Sequence, residues 1–242
     1  MNLCIDVGNT QVKFGLYNAK GELCSFFRNP ELTVEFLQTI LTDFEVKNAI
    51  LSSVRVENEA AFAFLEERLD KVLSLSPDVL VPIESVYETP KTLGNDRLAV
   101  VVGATVLYPN EGVLVVDAGT CITYDFITAS GVYMGGSILP GINMRFRALH
   151  ELTAKLPLIE AETLDVFIGT STKTSIQTGI MQGVLHELKG FRTQYGRQFG
   201  NIRLIVTGGD ASYFESQLKN EIFAQPNLVL IGLNKILDYN IQ

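Results

Sequence analysis

Short apolar runs bounded by glycine and polar turn residues open the chain: LCIDVG (3–8), VKFGLYN (12–18) and GELCSFFR (21–28). Their length and their β-branched and aromatic content predict three strands. The period then changes. In TVEFLQTILTDF (33–44) the apolar residues Val34, Phe36, Leu37, Ile40, Leu41 and Phe44 recur at helical spacing, with Thr33 the candidate N-cap. NAILSSV (48–54) predicts a buried strand, EAAFAFLEERLDKVL (59–73) a second amphipathic helix, and DVLVPI (78–83) another strand.

The same order is then written again. GVLVVDAG (112–119) and CITYDFIT (121–128) form a hairpin, and VYMGGSILPG (132–141) a third strand running into a turn. INMRFRALHELTAKL (142–156) and STKTSIQTGIMQGVLHELKGFRTQYG (171–196) read as helices, the second with interior glycines. NIRLIVTGGD (201–210) predicts a buried strand, ASYFESQLKNEIF (211–223) a helix, and NLVLIG (227–232) a strand before the closing LNKILDYN. Between the repeats, DRLAVVVGATVLY (96–108) has the look of a connecting helix. Turn residues cluster at 110–112, which divides the chain into halves 1–111 and 112–242. Two hairpins, each followed by alternating helices and strands, predict a duplicated α/β fold.

Composition narrows the function. The 242 residues are 47% hydrophobic and 19% charged, enough for a packed core and too ordered in pattern for disorder. A formal net charge of −8 without a dense Lys/Arg run argues against nucleic acid as a partner. No apolar stretch is long enough for a membrane span, and the start MNLCIDVGN lacks the pattern of an export signal, so a cytoplasmic protein is expected. Cys4, Cys24 and Cys121 are scattered and odd in number, and read as reduced thiols. His150 and His186 are the only histidines, and no Cys/His spacing points to zinc.

The chemistry sits in the two hairpins. Each has an Asp at a strand end, a small residue, a glycine and a polar pair: DVGNT from Asp6 and DAGT from Asp117. Such turns present backbone N–H groups and hydroxyls to a phosphate, and the carboxylate suits a hard cation. Asn9, Thr10, Lys13 and Thr120 add donors. A lone Asp-x-Gly between strands is usually only a turn. Two copies at matching places are better explained as a clamp for a polyphosphate. VTGGD closes a strand of the second half, where the first half has LSSVR (51–55), so one nucleotide site on the second half is expected. Neither a P-loop nor a GxGxxG fingerprint is present. In VYETPKTLGNDRLAV (86–100), Asp96 and Arg97 stand side by side. As an ordinary helix start, the Asp favours the dipole and the Arg is solvated. As a site, the carboxylate would accept a hydroxyl proton and the guanidinium would bind an acceptor carboxylate.

DVGNT with Lys13, LGNDR, DAGT and VTGGD, in this order and over essentially the whole chain, resemble type III pantothenate kinase, of the acetate and sugar kinase, Hsp70 and actin superfamily. The resemblance implies a duplicated ribonuclease-H-like, actin-like fold, with two βββαβαβα-type halves and a nucleotide cleft between them. It implies ATP-dependent phosphorylation of pantothenate, Mg²⁺ with the ATP, a homodimer, and a monovalent cation, potassium or ammonium, held by Asp117. It assigns ATP binding to Asp6, Val7, Gly8, Asn9, Thr10, Gln11, Val12, Lys13 and Thr120. It assigns pantothenate binding to Tyr87, Gly94, Asn95, Asp96 and Arg97, with Asp96 the general base. Thr172 is the best match to the family's substrate threonine in GTSTKTSIQTG (169–179). Two other readings stay open at this point: an acetate- or sugar-type kinase of the same superfamily, for whose inserted subdomains the chain has no room, and a nucleotide-dependent binding protein, against which Asp96–Arg97 argues.

Overall fold

The structure, a computed structural model, describes residues 1–53, 59–218 and 222–241. They form two compact units: Met1–Asn110 with Gly131–Met134 and Asn227–Gln242, and Glu111–Ser130 with Gly135–Pro226. The C-terminal segment therefore packs with the first unit, whereas the sequence division put it in the second half.

In the first unit, β1 (Asn2–Val7), β2 (Val12–Tyr17) and β3 (Leu23–Asn29) form an antiparallel meander. β4 (Asn48–Ser53) joins β1 in parallel and β5 (Lys71–Ser74) joins β4, giving the order β3-β2-β1-β4-β5. Strand alternation sends Leu3, Ile5 and Val7 to one face, where they meet Leu37 and Ile40 of α1 (Val34–Asp43) and Ala61 and Leu65 of α2 (Glu59–Glu66). Thr33 caps α1, its Oγ1 accepting from the Phe36 N–H at 3.3 Å. Asn2, Cys4 and Asp6 take the opposite face. There Asn2 donates to Asn234 Oδ1 at 3.0 Å and Asp238 Oδ1 at 2.7 Å, both on α7 (Leu228–Ile241). α7 also packs against α3 (Asn95–Leu107).

The second unit repeats the plan. β7 (Gly112–Ala118) pairs antiparallel with β8 (Cys121–Ile127) and parallel with β10 (Ile202–Thr207), which pairs with β11 (Phe223–Ala224); β9 (Val132–Pro140) lies beyond β8. The order β9-β8-β7-β10-β11 matches that of the first sheet, as a duplicated ribonuclease-H-like fold requires. Leu114, Val116 and Ala118 pack with Phe146 of α4 (Ile142–Glu151), Ile180 and Val184 of α5 (Thr172–Phe199) and Phe214 of α6 (Ala211–Gln217). The two-residue strand β6 (Glu84–Ser85) pairs in parallel with Val132 and Tyr133 at the start of β9.

Five local expectations fail. NLVLIG is not a strand but the first turns of α7. Leu228, Val229, Leu230, Gly232 and Leu233 are all buried, so no polar face betrays the helical period. DVLVPI is not a strand either: Pro82 interrupts it and Leu80 is exposed. The strand is KVLS (71–74), read from sequence as a continuation of α2, whose helical spacing ran through a chain that in fact turns back to pair with β4. α4 ends at Glu151, short of residue 156, and α6 at Gln217. Part of the proposed 211–223 helix lies outside the described residues, as do Val54 and Arg55 of LSSVR. All three cysteines are free.

Candidate active site

Asp6 closes the inner strand of the first unit, opposite Lys13 in the hairpin register. Between them the loop turns tightly, the Gly8 N–H donating to the Gln11 carbonyl at 3.1 Å, with Asn9 and Thr10 exposed at the tip. Val7 and Val12 pair below it and are buried. Asp6 is 9% exposed, and desolvation pushes its carboxyl up to about 6; Lys13 opposes the rise and the Asp96 carboxylate adds to it. Asp6 and Asp96 are thus close enough to feel one another.

Asp96 is the second residue of α3. One of its oxygens accepts the Arg97 N–H at 2.8 Å, at the helix end where the backbone dipole favours an anion. Gly94 is the N-cap, and Asn95 fixes the helix start by donating to the Leu75 carbonyl at 2.6 Å, just past β5. Arg97 is not the solvated arginine of an ordinary helix start: it is 5% exposed. Its Cζ stands 5.6 Å from the centroid of the Tyr87 ring, and Nη1 lies 3.4 Å from the Tyr87 hydroxyl. The first unit therefore gathers the residues from Asp6 to Lys13 on one hairpin, and Tyr87, Asn95, Asp96 and Arg97 around the start of α3.

In the second unit Asp117 is opposite Thr123 on β8 and Thr207 on β10. The turn after it is closed by the Gly119 N–H, donating to the Cys121 carbonyl at 2.9 Å, and Thr120 is exposed. Two further loops reach this turn. Gly141 N–H donates to the Thr120 carbonyl at 3.1 Å, and Asp210 N–H to the Ala118 carbonyl at 2.9 Å. Gly208 has φ +92°, and a Cβ there would stand 2.3 Å from the Ala118 carbonyl oxygen and 2.5 Å from Asp117 Oδ1. Only glycine leaves this backbone and this carboxylate undisturbed. Burial raises the Asp210 carboxyl. Gly208 and Asp210 belong to VTGGD, the segment whose sequence led to the expectation of a nucleotide site on this half.

Thr172 is the first residue of α5. The cap itself is Ser171, in a capping box with Thr174. Thr172 lines a cavity of about 780 Å³ with Thr170, Ser171 and Ser175 on its polar side and Leu149, Leu156 and Ile180 on its apolar side. It lies on the second unit, apart in sequence and in unit from Asp96 and Arg97. Among the described residues no group of three or more His, Cys, Asp or Glu side chains could hold a metal. A cation here would rely on single carboxylates with other oxygens. Asp117 is the carboxylate at this turn, and the missing Cβ of Gly208 makes room for its Oδ1.

The profile of the type III pantothenate kinase family matches residues 2–194. The type III pantothenate kinase of Phocaeicola vulgatus is 42% identical over 240 residues, covering 99% of each chain. That of Cytophaga hutchinsonii is 42% identical over 241 residues, covering all of both. Among solved structures, the activator of 2-hydroxyisocaproyl-CoA dehydratase from Clostridium difficile, with bound ADPNP, superposes with a TM-score of 0.54 at 10% identity over 99% of this chain and 94% of the other. A Sinorhizobium meliloti protein assigned as a 2-dehydro-3-deoxygalactonokinase gives 0.61 at 13% identity over 100% and 99%. At such identities these two speak for the fold alone.

Proposed function

The chain belongs to the type III pantothenate kinase family, and from that premise we propose how its residues divide the ATP-dependent phosphorylation of pantothenate to 4'-phosphopantothenate, the first step of coenzyme A biosynthesis. Asp96 takes the proton from the pantothenate hydroxyl as that oxygen attacks the terminal phosphorus of ATP, whose bond to the β–γ bridging oxygen breaks and releases ADP. Arg97 and Tyr87, with Gly94, Asn95 and Thr172, hold the acceptor, the guanidinium pairing with the pantothenate carboxylate. The residues from Asp6 to Lys13 and Thr120 hold ATP through backbone N–H groups, hydroxyls and the Lys13 ammonium. Mg²⁺ bound with the ATP would neutralise charge on the phosphate oxygens. Asp117 holds a potassium or ammonium ion, which removes the repulsion between its carboxylate and the polyphosphate.

The observation that carries this reading is the Asp96 carboxylate standing near enough to Asp6, on the phosphate hairpin, to help raise the Asp6 carboxyl. That proximity supports a phosphate hairpin and a base side by side on one unit, as direct transfer to a hydroxyl demands. A homodimer in the cytoplasm completes the reading; the exposed Leu158, Phe167 and Ile168 support an apolar contact between copies.

Coupled ADP-release assays with pantothenate and with a panel of sugars test it. Pantothenate alone should drive ADP release. Asp96→Asn should lower kcat about 10²–10⁴-fold with little change in pantothenate affinity. Potassium or ammonium should exceed sodium at matched ionic strength. Release of ADP with a sugar but not pantothenate would overturn the substrate, near-normal turnover by Asp96→Asn the base, and equal rates in the three salts the cation site.

A further inference from the structure

Tyr87 does not sit on a regular element long enough to hold it. It follows the two-residue strand β6, and its ring is half-buried. What fixes it comes from a distant part of the chain. The Glu84 N–H donates to the Gly131 carbonyl and the Val86 N–H to the Tyr133 carbonyl, both at 3.1 Å. The Tyr87 N–H is held by Ser85 Oγ at 3.2 Å. The Tyr133 ring, fully buried, lies along the Tyr87 ring with centroids 6.0 Å apart and planes 15° from parallel. Arg97 in turn lies over the Tyr87 ring. Tyr133, Tyr87 and Arg97 thus form a chain of contacts, anchored at its buried end by Tyr133.

We propose that Tyr133 is a positioning residue for pantothenate recognition: its ring, stacked on Tyr87, holds Tyr87 and through it the Arg97 guanidinium in the orientation that binds the substrate carboxylate. The physical reason is the sparse support of Tyr87. Without the stack, its ring would explore other rotamers, and the flat guanidinium would lose the surface against which it is set. The inference rests on the acceptor roles given above to Tyr87 and Arg97.

The test is a double-mutant cycle on steady-state constants with Tyr133→Leu, Tyr87→Leu and the pair, beside Tyr133→Phe and Arg97→Ala. Loss of an aromatic stack corresponds to about 2–12-fold in an equilibrium constant. Tyr133→Leu should raise the pantothenate KM by that factor and leave the ATP KM within about twofold. A merely misfolded fraction would lower kcat but move neither KM. Tyr133→Phe keeps the ring and should restore the pantothenate KM. In the Tyr87→Leu background, Tyr133→Leu should add nothing, since its route is already cut. An unchanged pantothenate KM in Tyr133→Leu, an additive effect in the pair, or a Tyr133→Phe as impaired as Tyr133→Leu would each overturn the proposal while leaving the pocket intact. If Arg97→Ala and Tyr87→Leu themselves leave the pantothenate KM unchanged, the acceptor pocket is misassigned and this inference falls with it.

Discussion

Asp6 occupies the last-but-one position of a strand whose every residue is buried, which is an unfavourable place for a carboxylate. Its folded value of about 6 against an ordinary 3.8 gives the penalty a pH dependence. Below about 3.8 the carboxyl is protonated whether the chain is folded or not, and nothing is lost. Between 3.8 and 6 the folded protein keeps a proton that the unfolded chain has released, so stability falls as pH rises. Above 6 both forms are charged and the loss is constant, about 3 kcal/mol. Asp6→Asn should therefore stabilise the ligand-free protein by up to that amount near pH 7, and the gain should fade toward pH 4. Urea unfolding of both proteins at the two pH values checks it; a gain independent of pH would mean that charge burial is not the cause. The same variant should lose activity if Asp6 has the ATP-binding role proposed for it.

The contact between α3 and α7 depends on two glycines. A Cβ at Gly232 would stand 1.8 Å from the Ala99 carbonyl oxygen, and one at Gly103 would stand 2.5 Å from that of Leu228. These neighbours are backbone, so no rotamer change relieves the clash and the helices must separate. Gly232→Ala should destabilise the protein at or beyond the upper end of the about 1–3 kcal/mol typical of overpacking. Half-buried Gly196, with nothing within 4 Å of its Cβ position, should accept Ala without loss and serve as the control. Urea midpoints compare the two, and equal midpoints would contradict the close packing. Because Asp96 and Arg97 lie in the first turn of α3, the same separation should weaken catalysis as well as folding.

For the molecule as a whole, the proposed dimer predicts a sedimenting mass of twice 26.7 kDa. Phe167 and Ile168, 75% and 72% exposed, are the residues whose burial would drive it. Replacing both by Asp should shift the protein to monomer; a wild-type monomer at assay concentration, or a double variant that stays dimeric, would remove them from any interface. Much of the architecture was legible in local chemistry. Glycine-bounded hairpins, the Thr33 cap, the change of period after each meander and the doubled Asp-x-Gly turn are short-range patterns, so the duplicated order and the hairpin residues could be read directly. The pattern failed where its contrast vanished: α7 is buried nearly all round, and KVLS continued a helical spacing up to the point where pairing with β4 took over. Only the tertiary structure decided that α7 covers the face of β1 bearing Asp6, that Arg97 is buried against Tyr87, and that Tyr133 stands behind it. These are contacts between residues far apart in the chain, and their free energy comes from burial and register, which no local spacing encodes.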